Sequence, residues 1–482
     1  MFTDESRDNV WQQLRQRGLQ AVTGVLTPQA MQAAAQAANV RIGKSPLNAC
    51  TLAWLAVVGA VHTTKSFAEV LKITLKLLDD TQIAVCKPER KSSKQRRKRS
   101  KHDPRGTSAL VSEEAFVQAR QKLPLKFWTW LLLILADSFQ RQHPEHVRWK
   151  RFRLLMLDGS DIALPRWKRL LTHYGAAGSG EARTPQARML MLAFAQARLP
   201  WRYEVVPQSC HEQTAAKRLL QHLVADDLVL MDRGFWSYGL FWLIQQQGAY
   251  FAIRLREGVT LRHRKRLGTQ DELVEWTPVV RAKNRCSWAG EGLPKSITLR
   301  VIRYQIRGFR ASAVVTNLLS PQDVSRDEWV RMASRDQQGH VLEAGLYHRR
   351  WEIETMFYEL KVFQGLEKSL RSRTPRGIEY EIAGHVLLYF LIRRLMVDAA
   401  KRHDAHPLQL SFKHALQEFE DLRPLLITSS VEHVRNVLLP KLLARIAEHR
   451  INIRPGRHYP RPGDKYKLGK YRKRNKIKAK QT

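Results

Sequence analysis

The chain has 482 residues, with 82 Lys and Arg against 44 Asp and Glu, a formal net charge of +38. That length allows roughly two or three domains, and so large a positive charge opposes compaction unless a polyanion is the partner. Four scattered cysteines without a CxxC pair exclude zinc-finger and disulfide scaffolds and fit a reducing cytoplasm; no signal peptide and no apolar run of about 18 residues is visible, so no membrane partner is expected.

Residues 1–86 read as helical, rich in Ala, Gln and Leu. Residues 87–106 carry ten Lys/Arg and two acids, a solvated linker suited to holding phosphates without reading sequence. A helical pattern resumes at Ser112, where Glu113 and Glu114 suit a helix N-terminus, and runs to about Gln140. Three strands follow, in RFRLLMLDGSDIALP, ARMLMLAFAQA and RYEVVPQS. HEQTAAKRLLQHL reads as a helix, DDLVLMDRGF as a short buried strand, SYGLFWLIQQQG as a helix and AYFAIRLR as a further strand. This order predicts a mixed α/β core. Short alternating runs such as SITLRVIRYQIR and FRASAVVTNLL predict an all-β insertion at about 257–340. More helices are expected near 376–402, 411–422 and 431–450. From Arg454 onward the chain has twelve Lys/Arg, one acid and three interleaved tyrosines, a composition expected to stay disordered until it meets nucleic acid. The chain thus divides into a helical N-terminal region (1–145), a mixed α/β core (150–376) with its insertion, a helical C-terminal region (377–453) and a basic tail (454–482).

Two acids close apolar strands. Asp158 follows LLML and precedes Gly-Ser; Asp232 follows LVLM and precedes Arg-Gly. A buried strand rarely ends in a carboxylate unless something neutralises it, because an unpaired buried charge is expensive. The competing reading is an Asp that caps a turn before Gly. Downstream, YHRRWEIETMFYELK has no Gly or Pro and predicts a helix. At 100° per residue, Tyr347, Arg350, Glu354 and Lys361 fall within an arc of about 60°. Glu352 lies about 160° from Glu354, and Glu359 about 140°. Glu343 shares the face but sits about 16 Å below along the axis. The wheel therefore selects Glu354. Asp161, three residues past Asp158, is a weaker competitor for the first acidic position. Three converging carboxylates repel one another and call for a cation. All-oxygen ligation points to Mg²⁺ or Mn²⁺, and two such ions can activate an attacking oxygen and stabilise a leaving oxygen at phosphorus. Acids and basic surface together argue for phosphodiester chemistry on a nucleic acid.

The spacing Tyr347-x2-Arg350-x3-Glu354-x6-Lys361 resembles the "YREK" signature of bacterial DDE transposases of the insertion-sequence-four group. LDGS around Asp158, LVLMDRGF around Asp232, YFAIRLR before the insertion, SEEAFVQARQKL and the RPGRHYPR tail are similar too, so the resemblance covers about residues 60–470. It implies a ribonuclease H-like core in which Asp158, Asp232 and Glu354 hold two Mg²⁺ ions, with Mn²⁺ as the alternative. The 121 residues between Asp232 and Glu354 fit the β insertion that such enzymes carry there. The implied reaction is cleavage of double-stranded DNA at the inverted repeats of an insertion sequence and transfer of those ends into target DNA. The implied partners are element-end and target DNA and a second copy of the chain in a synaptic homodimer, in the bacterial cytoplasm at the nucleoid. The N-terminal helices are expected to bind the DNA ends. Tyr347, Arg350 and Lys361 would grip the phosphate beside the cleaved bond, and Arg233 would contact a triad acid or a phosphate. In related enzymes a flipped base stacks on a tryptophan; Trp276 and Trp288 in the insertion are candidates. The competing function classes are a catalytically silent DNA-binding derivative and an RNA-processing nuclease, the latter without an RRM or KH signature.

Overall fold

In a computed structural model, residues 26–42, 47–71, 113–177, 183–278, 293–305, 311–331, 334–335, 341–342 and 345–451 are described. The basic linker at 87–106, the tail at 454–482, Glu343 and Trp288 lie outside the described residues.

Helices α1 (Pro28–Ala37) and α2 (Ala49–Val61) start on side-chain caps. The Thr27 hydroxyl accepts from the Ala30 amide, and the Asn48 side chain from those of Cys50 and Thr51, satisfying donors a helix start leaves open. Helix α3 (Glu113–Lys122) and helix α4 (Leu125–Gln142) occupy the stretch read as one helix from Ser112. Pro124 separates them: it disfavours helical backbone in the residue before it and then serves as the N-cap of α4.

The central layer is one mixed sheet. Strands β1 (Phe152–Ala163), β2 (Thr184–Phe194) and β3 (Leu199–Pro207) form an antiparallel meander; helix α5 (Lys168–Tyr174) lies between β1 and β2. Helix α6 (Glu212–Leu220) leads to β4 (Asp227–Met231), which runs parallel to β1, and α7 (Tyr238–Gln246) leads to β5 (Tyr250–Arg254), parallel to β4. Every residue of β4 is buried, as expected for a strand covered on both faces. The mixed α/β core is therefore present, with one helix more than the sequence order strand–strand–strand–helix–strand–helix–strand: α5 separates the first two strands.

The inserted strands β6 (Arg262–Gly268), β7 (Asp271–Trp276), β8 (Ile297–Tyr304) and β9 (Ser312–Thr316) do not form a sheet of their own. β9 pairs antiparallel with β5, and the main sheet continues in the order β3–β2–β1–β4–β5–β9–β8–β7–β6. The segment up to about 340 is also not purely β. Helix α8 (Arg326–Val330) sits there, started by a capping box between Ser325 and Glu328, a Ser-x-x-Glu signal.

After the sheet, α9 (Trp351–Tyr358) is the α-helical centre of a longer helical run. A tight 3-10 turn (Leu346–Arg350) precedes it and a wide π turn (Glu359–Phe363) follows. Helix α10 (Pro375–Arg402), with Thr374 as cap and Pro375 in its first turn, is buried over most of its length and packs against α2, α4, α11 (Phe412–Thr428) and α12 (Leu439–Glu448). No helix among the described residues is long and apolar enough to cross a membrane.

Candidate active site

The parallel pairing of β1 and β4 ends in register at Leu157 opposite Met231. The next residue on each chain is an acid. Asp158 is still in β1, and Asp232 keeps an extended backbone (φ −81°, ψ 158°). Their backbones are thus about one strand spacing apart, about 4.8 Å, where β4 ends beside the middle of β1. Each carboxylate accepts a hydrogen bond from the next main-chain amide: Asp158 from Gly159 at 2.8 Å and Asp232 from Arg233 at 2.7 Å. The turn-capping role of Asp and the convergence of the two acids therefore coexist.

The third acid arrives from α9. Arg350 Nη2 donates to Glu354 Oε1 at 3.0 Å, and Arg350 Nη1 lies 3.8 Å from Asp158 Oδ2. The guanidinium is 6% exposed and bridges the first and third acids. Burial pushes the Asp158 carboxyl up to about 6; the Gly159 amide and Arg350 oppose the rise, while the negative charges of Asp232 and Glu354 add to it. Burial works against the charge on Arg350, but Tyr347, Asp232, Glu354 and Asp158 outweigh it and hold the guanidinium protonated. Electrostatically, the three acids form one group with a cation in their midst.

The other acids are placed elsewhere. Asp161 is an odd number of residues from Asp158 along β1, so its side chain leaves the opposite face of the pleat, where Arg188 Nε pairs with it at 3.0 Å. Glu352 and Glu359 leave the far side of the helical run. Arg198 donates to both, through Nε to Glu352 and through Nη1 to Glu359 at 2.8 Å. Tyr389 on α10 donates to the second oxygen of Glu359 at 2.5 Å, and Arg393 Nη1 lies 4.0 Å from that residue. Arg198 occupies the β2–β3 turn with a left-handed backbone (φ 50°), so a hairpin tip braces the back of the helix that carries Glu354.

Tyr347 is buried, and its hydroxyl donates to the carbonyl of Met231 at 3.1 Å. Burial pushes that hydroxyl's pKa well above its usual range. Lys361 Nζ donates to the carbonyl of Asp161 and lies 3.2 Å from Glu367, so the amine is anchored at the far end of β1. Arg233 is exposed and 3.7 Å from Glu257, so its ion pair is with that residue and not with a triad acid. Trp276, a candidate for base stacking, is 8% exposed and packs against Trp236, Tyr238 and Phe241, with ring centroids 5.2–5.6 Å apart. Its place in this structure is the core.

Several side chains of the site were not singled out in the sequence. Arg198 and Tyr389 carry no motif; only a charged residue at an otherwise apolar hairpin, and a tyrosine inside an apolar helix, hint at a buried polar network. Trp351, 45% exposed, lies beneath the Arg350 guanidinium, 4.5 Å from the ring centroid. An exposed tryptophan beside the acids was masked in the sequence by its neighbours' charge.

The described residues contain no group of three or more His, Cys, Asp and Glu side chains already spaced around one ion. The donors are nonetheless hard carboxylate oxygens, and their mutual repulsion, expressed in the raised Asp158, is what a divalent cation relieves. Arg350 now supplies the positive charge between two of them, so the acids suit a metal chemically without forming a closed cage.

The family described as "Transposase DDE domain" matches residues 149–391, which span all three acids. Half the chain lies in that match, so it belongs to the DDE transposases, enzymes that use divalent metal ions. It is 28% identical over 324 residues to transposase InsG for insertion sequence element IS4 from Escherichia coli (strain K12), covering 64% of this chain and 67% of that one. A solved piggyBac transposase synaptic complex with hairpin DNA aligns over 89% of this chain and 82% of its own, at 8% identity and a TM-score of 0.39.

Proposed function

We propose that this transposase binds the terminal inverted repeats of an insertion sequence, cleaves the DNA ends and transfers them into target DNA by two-metal chemistry on a ribonuclease H-like core. The observation that carries the reading is the meeting of Asp158 and Asp232, side by side on parallel strands, with Glu354 through the buried guanidinium of Arg350. The antiparallel meander followed by two parallel strands supports the ribonuclease H-like assignment.

Asp158, Asp232 and Glu354 would hold the ions, with Mg²⁺ as the expected metal and Mn²⁺ as its substitute. When bound, such ions supply Lewis-acid activation of an attacking oxygen and stabilisation of the leaving one. The protein's share is placement. Arg350 Nη1 makes no hydrogen bond among the described residues and is buried 3.8 Å from Asp158 Oδ2, so the guanidinium's unpaired donor faces the acids. Lys361 offers a point charge on the β1 side. Tyr347 fixes the distance between the Glu354 helix and the Asp232 strand. The partners are duplex element ends and target DNA, held by two copies of the chain in the bacterial cytoplasm. The basic stretches at 87–106 and 454–482 supply phosphate contacts, and the N-terminal helices the recognition of the ends.

The test is cleavage of a duplex carrying the element's own ends in Mg²⁺ or Mn²⁺. Asp158→Asn, Asp232→Asn and Glu354→Gln each abolish nicking and leave end binding within a few-fold of wild type. Full cleavage by Glu354→Gln would overturn the triad. Binding without cleavage by the unaltered chain would favour the catalytically silent reading, and preference for RNA over duplex DNA the RNA-processing one.

A further inference from the structure

The outermost strand of the sheet, β6, reads Arg-His-Arg-Lys-Arg-Leu-Gly, and Arg262, His263, Arg264, Lys265 and Arg266 are all exposed. A strand that is exposed on both faces of the pleat covers no core, so these residues are not there for packing. Two are held by carboxylates of β7: His263 Nδ1 lies 2.6 Å from Glu272, and Arg264 pairs with Glu275. Arg303 on β8 shares Glu272 at 2.8 Å. Among the described residues no ion pair is made by Arg262, Lys265 or Arg266, so the strand keeps a surplus of positive charge.

A charged edge strand can serve only to block edge-to-edge pairing. Here that work is already done. The β6–β7 ladder slips register twice, between His263 and Lys265 and between Arg266 and Gly268, and such bulges twist an edge away from further pairing. Five consecutive basic residues exceed what protection requires.

We propose that β6 is a second contact for duplex DNA, gripping the phosphate backbone without reading sequence. This rests on the reading of the chain as a DNA transposase and adds a surface to it. A seven-residue strand runs about 23 Å, close to two-thirds of one duplex turn of about 34 Å. The sheet order places β6 five strand spacings, about 24 Å, from β4 and its neighbour Asp232, less than one duplex turn of about 34 Å. A duplex engaged at the active site and running across the sheet is long enough to meet this edge with its Arg262, Lys265 and Arg266.

The experiment compares the full chain with its Arg262→Gln/Lys265→Gln/Arg266→Gln variant. Each binds two duplexes, one with the element ends and one unrelated, over a series of salt concentrations. The expected result is a weaker variant on both duplexes by the same factor, with the slope of log affinity against log salt reduced by about one for each lost contact. Because the three side chains are exposed, an unchanged melting temperature should accompany the loss. An unchanged slope on both duplexes overturns the proposal while leaving the transposase reading intact. A loss confined to the end-bearing duplex overturns its sequence-independent character. Failure of the unaltered chain to bind either duplex overturns the DNA reading, and this inference with it.

Discussion

The hydroxyl of Tyr347 is hydrogen-bonded to the carbonyl of Met231, 116 positions earlier and adjacent to Asp232. One bond thus ties the helical run that carries Glu354 to the strand that delivers the second acid. Tyr347→Phe leaves that buried carbonyl without its partner, a loss on the order of 1–3 kcal/mol. The expected outcome is a lower melting temperature and slower cleavage with end binding retained. An unchanged melting temperature together with weaker end binding would instead assign the hydroxyl to a phosphate.

Asp158 makes stability depend on pH in a stated direction. Its carboxyl sits at about 6 in the folded protein against an ordinary value of 3.8. The folded state therefore holds more protons than the unfolded one between these limits, so the contribution of this group falls as pH rises through the window and is level above it. Thermal melts from about pH 4 to 7 without metal should show that fall in the wild type and a flatter curve in Asp158→Asn. Divalent ions compete with the same proton, so their binding weakens below about pH 6. A wild-type curve no steeper than that of Asp158→Asn would refute the assignment.

Glu352 and Glu354 separate stability from chemistry. The sequence alone expects Glu352→Gln to be neutral in cleavage. The ion pair with Arg198 adds a stability cost, since that pair belongs to a network 7% exposed at Arg198 and 3% at Glu359. Glu352→Gln should lower the melting temperature and keep cleavage at temperatures where it is folded. Glu354→Gln should do the reverse. Glu359→Ala removes the carboxylate beside the buried Arg393 and leaves Arg198 with Glu352 alone, at about 3–5 kcal/mol, and is expected to give little soluble protein. A Glu352→Gln protein that melts like wild type would show the network to be energetically idle.

Trp276→Ala removes a large core side chain from the cluster with Trp236, Tyr238 and Phe241, a cost of about 3–5 kcal/mol. Trp276→Phe fills most of the space and should retain both folding and cleavage. Loss of cleavage in a stably folded Trp276→Phe would return this residue to the DNA.

Much of this arrangement was readable beforehand, for local reasons. Asp232 follows its strand's last residue because the apolar run stops there, whereas Asp158, read as a strand end, lies inside β1, which continues to Ala163 on the antiparallel pairing with β2; adjacency of the two acids follows once β1 and β4 run parallel. The choice of Glu354 over Glu352 needed only the angular spacing of a helix, which the α-helical turns of α9 keep. The wheel loses validity at the ends: the 3-10 turn under Tyr347 and the π turn at Lys361 change the angle per residue, and Lys361 reaches the Asp161 carbonyl instead of stacking on the other three. Long-range partners were not readable. Arg198 and Tyr389 meet Glu359 across 161 and 30 residues of chain, and nothing local announces either contact. Sheet continuity through β5 and β9 was hidden for the same reason: alternation identifies strands but does not say which edge they join.

That continuity gives the insertion a custodial role. Between β5 and β9 three residue pairs, Ala252 with Thr316, Ile253 with Val315 and Arg254 with Val314, close the flank of the strand next to the one that ends at Asp232. A chain shortened by deleting the insertion would expose β5, whose central residues are fully buried, as a bare apolar template open to pairing with any other strand. The inserted strands therefore act as a guard on the interior, and a truncated enzyme would be lost to aggregation before its chemistry could be assayed.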